Sequence, residues 1–252
     1  MEICFGNTGV KDFLDMLNKV SNSDLCKLTC STVPLLWYWK DYAERIRDLL
    51  EEIGAEFTEP SRLHFEYPVE SANDLSKASY TDVMFWSKAI SVAIEGKWRE
   101  PRYETVQQWL RSGNTENRKA VLEHWKGLIA PKSRGIGNVD DVVYQMLHRT
   151  ASACVQKSDR TVVLYQVFSD PTSKDVDYGA DFETLVKAIS PKEDLGIWLQ
   201  YIVMYRTDHY RKTENTLLGI VDSERKASLA REAILEGDLF RFETEDFKTF
   251  PG

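Results

Sequence analysis

Three strand-like segments follow one another between residues 62 and 98, and they constrain the fold of this chain more than any other feature. Residues 62–69 alternate apolar and polar side chains, and residues 79–86 are rich in aromatic and β-branched types. Residues 89–98 form an apolar run that ends in Glu-Gly-Lys-Trp. These patterns predict strands, because alternating or β-branched segments of this length suit a sheet with at least one buried face.

Helical periodicity lies on both sides of these strands in the sequence. A helix is predicted from Pro34 to Ile53, since apolar residues recur there at helical spacing and Gly54 suits a left-handed cap. A shorter helix is predicted around residues 10–20. Further helices are predicted over 101–112, 116–129, 139–157, 182–189 and 223–236, and further strands over 161–168, 197–206 and 238–243. This order predicts an α/β (α+β mixed) fold, a central mixed β-sheet with helices on both faces.

The composition is that of a globular protein. Of its 252 residues, 42% are hydrophobic and 29% are charged, and no repeat, low-complexity tract or linker divides the chain. We therefore expect a single domain over residues 1–252.

No apolar run is long enough to span a membrane, and the N-terminus lacks the pattern of a secretory signal. The spacing of the four cysteines does not suggest a disulfide framework, so we expect a cytoplasmic protein with free thiols and no membrane partner.

The charge is unevenly distributed. The formal net charge is −8, which argues against a protein that coats nucleic acid by bulk charge. The segment from Lys97 to Arg160, however, has twelve Lys and Arg against seven Asp and Glu, a net of +5. A focused polyanion site and ordinary variation on solvated helices both explain this stretch.

One constellation suggests chemistry: Asp82, followed thirteen residues later by Glu95-Gly96-Lys97. A hairpin about Lys88 and Ala89 would place Asp82 directly opposite Glu95, with Cβ atoms about 4.5–5.5 Å apart. Two carboxylates this close repel each other unless a cation lies between them, and Mg²⁺ prefers such oxygen ligands. Lys97 would lie beside the metal. The alternative is a cross-strand ion pair on a half-solvated sheet.

With these residues the chain resembles the PD-(D/E)XK nuclease superfamily, the restriction-endonuclease-like fold. The resemblance covers about residues 34–168 and includes the order helix, three antiparallel strands, helix, strand. It leaves residues 171–252 as a C-terminal elaboration packed on the core. One position departs from the family pattern, because Thr81 stands where the family has Pro before the Asp.

The resemblance implies a metal centre and a catalytic lysine. Asp82 and Glu95 would bind Mg²⁺, with Mn²⁺ as a substitute, and the backbone carbonyl of Gly96 would complete the metal shell. Lys97 would be the catalytic lysine. Similar nucleases often borrow an acid from the first helix or strand, and Glu66 is the preferred candidate over Glu44 and Glu51.

Further residues are expected to contact the substrate. Gln145 and Arg149 are one helical turn apart on the helix after the catalytic strand, and they suit a place near the metal or the scissile phosphate. A solvent-facing polar stripe explains them equally well. The loop from Pro131 to Gly137 brings two cations that could follow a phosphate backbone, although a mobile connector also explains it. The expected nucleic-acid-binding residues are Arg149, Lys132, Arg134 and Arg99.

The expected function is a metal-dependent endonuclease that hydrolyses phosphodiester bonds, with DNA as substrate in a restriction or defence role. Two alternatives stay open: an inactive nuclease-fold module that binds nucleic acid or assembles with other proteins, and an RNA-cleaving member of the same superfamily. The resemblance also leaves a homodimer open. Lys97, Arg149 and the Lys132–Arg134 loop are expected to form one positive concavity, since a site that grips phosphates needs local cations.

Overall fold

The computed structural model describes residues 1–72, 78–171 and 177–251, apart from the side chains of 244 and 245. Its strands are β1 (Glu2–Phe5), β2 (Thr8–Gly9), β3 (Arg62–Val69), β4 (Ser79–Trp86), β5 (Ile90–Lys97), β6 (Arg160–Ser169), β7 (Leu195–Arg206) and β8 (Phe240–Thr249). Its helices are α1 (Phe13–Leu17), α2 (Asn22–Leu25), α3 (Thr32–Tyr38), α4 (Tyr42–Glu52), α5 (Val106–Arg111), α6 (Thr115–Ile129), α7 (Tyr144–Cys154), α8 (Gly179–Ile189), α9 (Asp208–Leu218) and α10 (Ser223–Glu236).

The strands of these ranges form one mixed sheet in the order β2-β1-β3-β4-β5-β6-β7-β8. Strands β3, β4 and β5 are an antiparallel meander, and β5, β6 and β7 run parallel to one another. The hairpin register also follows the prediction, since Val83 pairs with Ile94 and Trp86 with Ser91. The predicted mixed sheet is therefore confirmed.

Both faces of the sheet are covered. Helices α1 to α4, α9 and α10 contribute to an apolar core on one face, and α5 to α8 contribute to a second core on the other. Strands β5 and β6 lie between the two cores, and every residue of β5 is buried. A side chain on either face of β5 thus leaves water, so any charge placed there requires a partner.

The predicted helix over residues 34–53 is interrupted. Helix α3 ends at Tyr38, a 3₁₀ turn covers Trp39–Asp41, and α4 follows. Trp39 is fully buried, and its indole N–H donates to Gln166 Oε1 of β6 (2.8 Å). This tertiary contact coincides with the break, and local periodicity could not indicate it. Gly54 does adopt the expected left-handed conformation, with φ +63°.

Other elements differ from the predictions at the ends of the chain and in its polar segments. Strands β1 and β2 are too short to show an alternating pattern, and β1 forms by pairing in parallel with β3. The predicted helix over 139–157 begins only at α7, because residue Val143 bridges to Thr105. Strand β8 continues through an acidic segment because its backbone pairs with β7. Helix α9, whose start is capped by the Thr207 hydroxyl, is an unpredicted element.

The part of the chain after residue 170 continues the same structure. Strands β7 and β8 extend the sheet from β6, and α9 and α10 pack into the core that α1 to α4 share. Residues 172–176 and 252 of this predicted C-terminal elaboration lie outside the described ranges. Among the described residues, none of the helices has the length and hydropathy needed to cross a bilayer.

We expect Leu164→Ala to lower the free energy of unfolding by about 2–5 kcal/mol, the usual cost of an aliphatic truncation in a packed core. Leu164 lies on central strand β6 and is fully buried. Urea denaturation would measure the change. Val221→Ala, at a position that is 98% exposed, is the control and should change stability by no more than about 0.5 kcal/mol. Equal effects of the two substitutions would contradict the described core.

Candidate functional site

Strands β4 and β5 separate after the pair Val83–Ile94, and Asp82 lies in the fork between them. The predicted Asp82–Glu95 pair would come next in this register, but the pairing ends at Val83–Ile94. The Asp82 carboxylate turns along the sheet, where its Oδ2 accepts the backbone N–H of Gly96 (2.8 Å). A side chain thus replaces a strand carbonyl as the partner of β5.

Gly96 has a second structural role at this fork. An added Cβ would lie 3.1 Å from Leu35 Cδ2, closer than ordinary contact. The missing side chain therefore lets α3 approach β5 at the point where Asp82 meets the strand. This close approach explains the glycine of the Glu-Gly-Lys sequence without reference to catalysis.

Glu95 is the centre of a buried network on the other face of β5. Its Oε1 accepts hydrogen bonds from Lys97 Nζ and Gln145 Nε2, both at 2.7 Å. Its Oε2 accepts from Arg149 Nε, and Arg149 Nη1 also donates to Ser79 Oγ (3.1 Å). Glu95, Lys97, Gln145 and Arg149 are each at most 7% exposed. The polar stripe of α7 thus faces the sheet rather than solvent.

Electrostatics fixes the charge states of this network. Burial alone would raise the pKa of Glu95, but the charges of Arg149 and Lys97 and their hydrogen bonds hold it at about 2. Burial likewise opposes the charge of Lys97, yet attraction to Glu95 and Asp82 raises its pKa. The three groups are therefore charged at neutral pH, and the network has one more cation than anion.

A second pair of carboxylates lies at the same fork. Glu66 is opposite Asp82 in the β3–β4 register, and its left-handed conformation (φ +52°) interrupts the pairing there. Both side chains line a cavity of about 20 Å³ whose other walls are mostly apolar. In the described part of the chain neither carboxylate forms an ion pair, in contrast to Glu95.

The pKa values of this pair are shifted in the opposite direction from that of Glu95. Burial, followed by the charges of Asp24 and Glu95, raises the pKa of Glu66 to about 7 against the opposing charge of Arg149. Burial and then repulsion from Glu95 raise the pKa of Asp82 well above its usual range. The Glu66–Asp82 pair is thus short of positive charge.

The donor chemistry of this pair fits a hard divalent cation. Carboxylate oxygens are the ligands that Mg²⁺ prefers, and the cavity has room for about one water-sized species. Across residues 1–72, 78–171 and 177–251, however, no three His, Cys, Asp or Glu side chains are grouped as a ready metal site. Glu95, the third expected acid, is instead held by Lys97 and Arg149.

Two tyrosine rings that the sequence pattern did not indicate lie near the Lys97 ammonium. The ammonium lies 5.0 Å from the ring centre of Tyr103 and 6.0 Å from that of Tyr165. Tyr103 is 48% exposed, whereas Lys97 is 4% exposed. The Tyr165 hydroxyl is buried, with no hydrogen-bond partner among the described residues.

The Lys132–Arg134 loop lies away from this site. Lys132 Nζ donates to Asp194 Oδ2 (2.6 Å) and to the backbone carbonyls of Ser158 and Asp159, beside the first residues of β6 and β7. Lys97 is at the last residue of β5, opposite Val167 of β6. Seven residues of extended strand, about 20 Å, separate the two ends. The prediction of one positive concavity that includes this loop is therefore wrong.

Arg99, in contrast, lies at the same edge of the sheet as Lys97. Its guanidinium forms an ion pair with Asp170 (3.4 Å), which also binds Arg206 (2.9 Å). Asp170 and Arg206 follow or end the adjacent parallel strands β6 and β7. Asp170 and Arg206 could have been identified from the sequence by their place at the ends of predicted strands, since the carboxyl ends of parallel strands meet at one edge of the sheet.

A protein-family model described as a domain of unknown function, DUF6946, matches residues 9–205. The chain belongs to this family. The DUF6946 match spans the whole meander, α7, β6 and all but the last residue of β7, and so includes every residue of the fork and of the Glu95 network. The comparisons with curated proteins and with solved structures yielded no match.

We expect Glu66 of this DUF6946 protein to make folding stability pH-dependent. The folded protein holds a proton on Glu66 up to about pH 7, whereas the unfolded chain releases it near the ordinary value of 4.5. The stabilising contribution is therefore complete below pH 4.5 and is lost as the pH rises through 7.

Glu66→Gln should remove this loss. Between pH 4.5 and 7.5 the free energy of unfolding of the wild type should fall relative to the variant by about 1–3 kcal/mol, from 1.36 kcal/mol per pKa unit reduced for partial exposure. Denaturant titrations across this range would measure it. Glu44→Gln, an exposed position on α4, is the control. Parallel pH profiles for wild type and Glu66→Gln would contradict the raised pKa.

A further expectation concerns the DUF6946 ion pair between Arg149 and Glu95. Arg149→Leu should destabilise the fold by about 3–5 kcal/mol, because it leaves a buried carboxylate with less compensation. Adding Glu95→Gln to Arg149→Leu should recover part of the loss, and a double-mutant cycle in urea would measure it. Arg111→Leu, on the exposed surface of α5, is the control. A change for Arg149→Leu as small as for Arg111→Leu would contradict a structural ion pair.

Proposed function

We propose that this protein is a metal-dependent phosphodiesterase that cleaves nucleic acid, with DNA as the expected substrate. The observation that carries the proposal is the arrangement around β5. Asp82 meets the Gly96 amide at a strand fork, while Glu95 binds Lys97, Gln145 and Arg149 one residue before it. The sequence resemblance assigns these same positions to metal binding and phosphodiester cleavage.

Asp82 and Glu66 are the residues that would hold Mg²⁺ or Mn²⁺, because both side chains line one small cavity and neither forms an ion pair among the described residues. The Gly96 carbonyl points to the same side of β5 as the Gly96 N–H, as both groups of one strand residue do, and so toward the same fork. A bound divalent ion lowers the pKa of an attacking water and stabilises charge on a phosphoryl oxygen.

The cations of the site supply the remaining chemistry. Lys97, Arg149 and Glu95 together have a net charge of +1. This net positive charge would favour binding of an anionic phosphodiester and stabilise the negative charge that develops during its cleavage. Glu95 Oε1 holds Lys97 in place, and Gln145 Nε2 donates to the same oxygen atom.

Arg99, whose side chain is 35% exposed, is a partly accessible cation at this edge. It is the residue that we propose to contact the nucleic-acid backbone, and Arg149 would act deeper in the site. Lys132 and Arg134 are not part of this surface.

The proposed site contacts the phosphodiester group and not the sugar, so RNA is the alternative substrate. We place the activity in the cytoplasm, since all four cysteines are free thiols.

A second candidate function is a nuclease-fold module that binds nucleic acid or assembles without cleaving it. The pairing of Glu95 favours this alternative, because two buried cations already neutralise the carboxylate. A purely structural ion network has the same appearance. The two functions differ in whether Mg²⁺ or Mn²⁺ changes the protein and in whether phosphodiester bonds break.

Cleavage assays distinguish the candidates. The purified chain is incubated with supercoiled plasmid, linear duplex, single-stranded DNA and RNA, with Mg²⁺, with Mn²⁺ or with EDTA. We expect metal-dependent cleavage of duplex DNA. Lys97→Ala should reduce the rate by about 10²–10⁴-fold while substrate binding, measured by fluorescence anisotropy, changes little, because one of several phosphate contacts is lost.

The controls separate loss of fold from loss of chemistry. Lys88→Ala removes an exposed lysine from the β4–β5 hairpin and should cleave at the wild-type rate. Asp82→Asn should abolish both cleavage and any increase in melting temperature caused by Mg²⁺, and circular dichroism verifies the fold of each variant. Cleavage of no substrate under any metal condition would favour the binding module, and full activity of Lys97→Ala would contradict the role assigned to that lysine.

A further inference from the structure

A cavity of about 170 Å³ lies between α4 and strands β6, β7 and β8. Its floor is formed by Gln166 and Gln200, which are paired in register on β6 and β7. Gln166 shares its face of the sheet with Leu164 and Phe168, whereas Glu95 lies on the opposite face. The cavity is therefore separate from the Glu95 network, and it shares no lining residue with the small cavity at Asp82.

The floor of this cavity is polar in an otherwise apolar layer. Gln166 and Gln200 are each 1% exposed. Removing an amide from water is unfavourable unless its hydrogen bonds are replaced. Burying two adjacent amides on central strands is therefore unfavourable compared with burying apolar side chains. Their presence suggests that the cavity binds a polar ligand.

The orientation of these amides follows from a chain of hydrogen bonds that starts at Trp39. An indole N–H can only donate, so the oxygen of Gln166 must face Trp39 Nε1 (2.8 Å). The Gln166 nitrogen then donates to Gln200 Oε1 (2.7 Å). Among the described residues Gln166 makes these two hydrogen bonds, which leaves one amide proton and one oxygen lone pair for a ligand edge.

Planar side chains line the walls of the cavity. The Arg45 guanidinium lies over the ring of Tyr38, 4.1 Å from its centre, and Arg45 Nε donates to the Tyr38 carbonyl (3.3 Å). Phe247 of β8 lines another wall. Aromatic rings and a held guanidinium plane are the surfaces on which planar heterocycles stack.

We propose that this cavity binds an uncharged, single-ring pyrimidine base, either free or as its nucleoside. An apolar cavity of about 150 Å³ accepts one benzene ring, so the volume here suits one six-membered ring rather than a purine. The remaining amide proton and oxygen lone pair of Gln166 match the donor–acceptor edge of such a base. The rim has two exposed acids, Asp48 and Glu52, against the single cation Arg45, and this balance disfavours a phosphate. The site does not rest on the proposed cleavage activity.

Isothermal titration calorimetry of the full chain with cytidine, uridine, adenosine and cytidine monophosphate tests this proposal. We expect saturable binding of at least one pyrimidine nucleoside, with a dissociation constant of about 0.01–1 mM for a ligand of this size. Gln166→Leu should weaken that binding at least about tenfold, since the amide edge is lost.

A second variant tests the proposal independently in case the Gln166→Leu protein does not fold. Leu49 lines the cavity from α4 and is buried, so Leu49→Trp should fill the space and abolish binding without touching the amides. Arg47→Ala, on the exposed side of the same helix, should bind as the wild type does, and differential scanning fluorimetry verifies the fold of each protein.

The following results would overturn the proposal. Absence of saturable binding by either pyrimidine nucleoside would show that the cavity is not such a site. Tighter binding of adenosine would contradict the ring size, and tighter binding of the monophosphate would contradict the effect of the acidic rim. Unchanged binding by Leu49→Trp would place the ligand elsewhere on the protein.

Discussion

The structure around the candidate site depends on one buried carboxylate. Glu95 lies on a strand that is covered on both faces, where an isolated charge would be strongly unfavourable. Lys97 from the same strand and Arg149 from α7 compensate it through direct ion pairs. These contacts set the rotation of α7 on the sheet, because Gln145 and Arg149, one turn apart, both have to face β5.

Glu95 differs from Glu66 and Asp82 in how its negative charge is compensated. Glu95 keeps its charge because two cations touch it, whereas Glu66 and Asp82 share a small cavity in which burial favours their protonated forms. Protonation leaves Glu66 and Asp82 neutral without any cation. Under the proposed nuclease function, a divalent cation would take the place of those protons.

The same sheet has polar side chains on its other face, where Gln166 and Gln200 form the floor of a cavity. Central strands with two buried faces normally consist of apolar residues throughout. The amides of β6 and β7 line the cavity beside α4, whereas the charged residues of β5 are held by ion pairs with one another and with α7. The two departures from the apolar pattern thus lie on opposite faces of the sheet.

The sequence by itself determined the local features: the limits of β3 and β4, the register of the β4–β5 hairpin, the left-handed cap at Gly54 and the common face of Glu95 and Lys97. Each follows from side-chain periodicity or turn chemistry over a few neighbouring residues. Only the tertiary structure decided that the helix breaks at Trp39, that the polar stripe of α7 faces inward, that Glu66 joins Asp82, and that Lys132 lies at the far end of the sheet. These outcomes depend on contacts between residues distant in sequence, and local periodicity contains no information about which partners such residues meet.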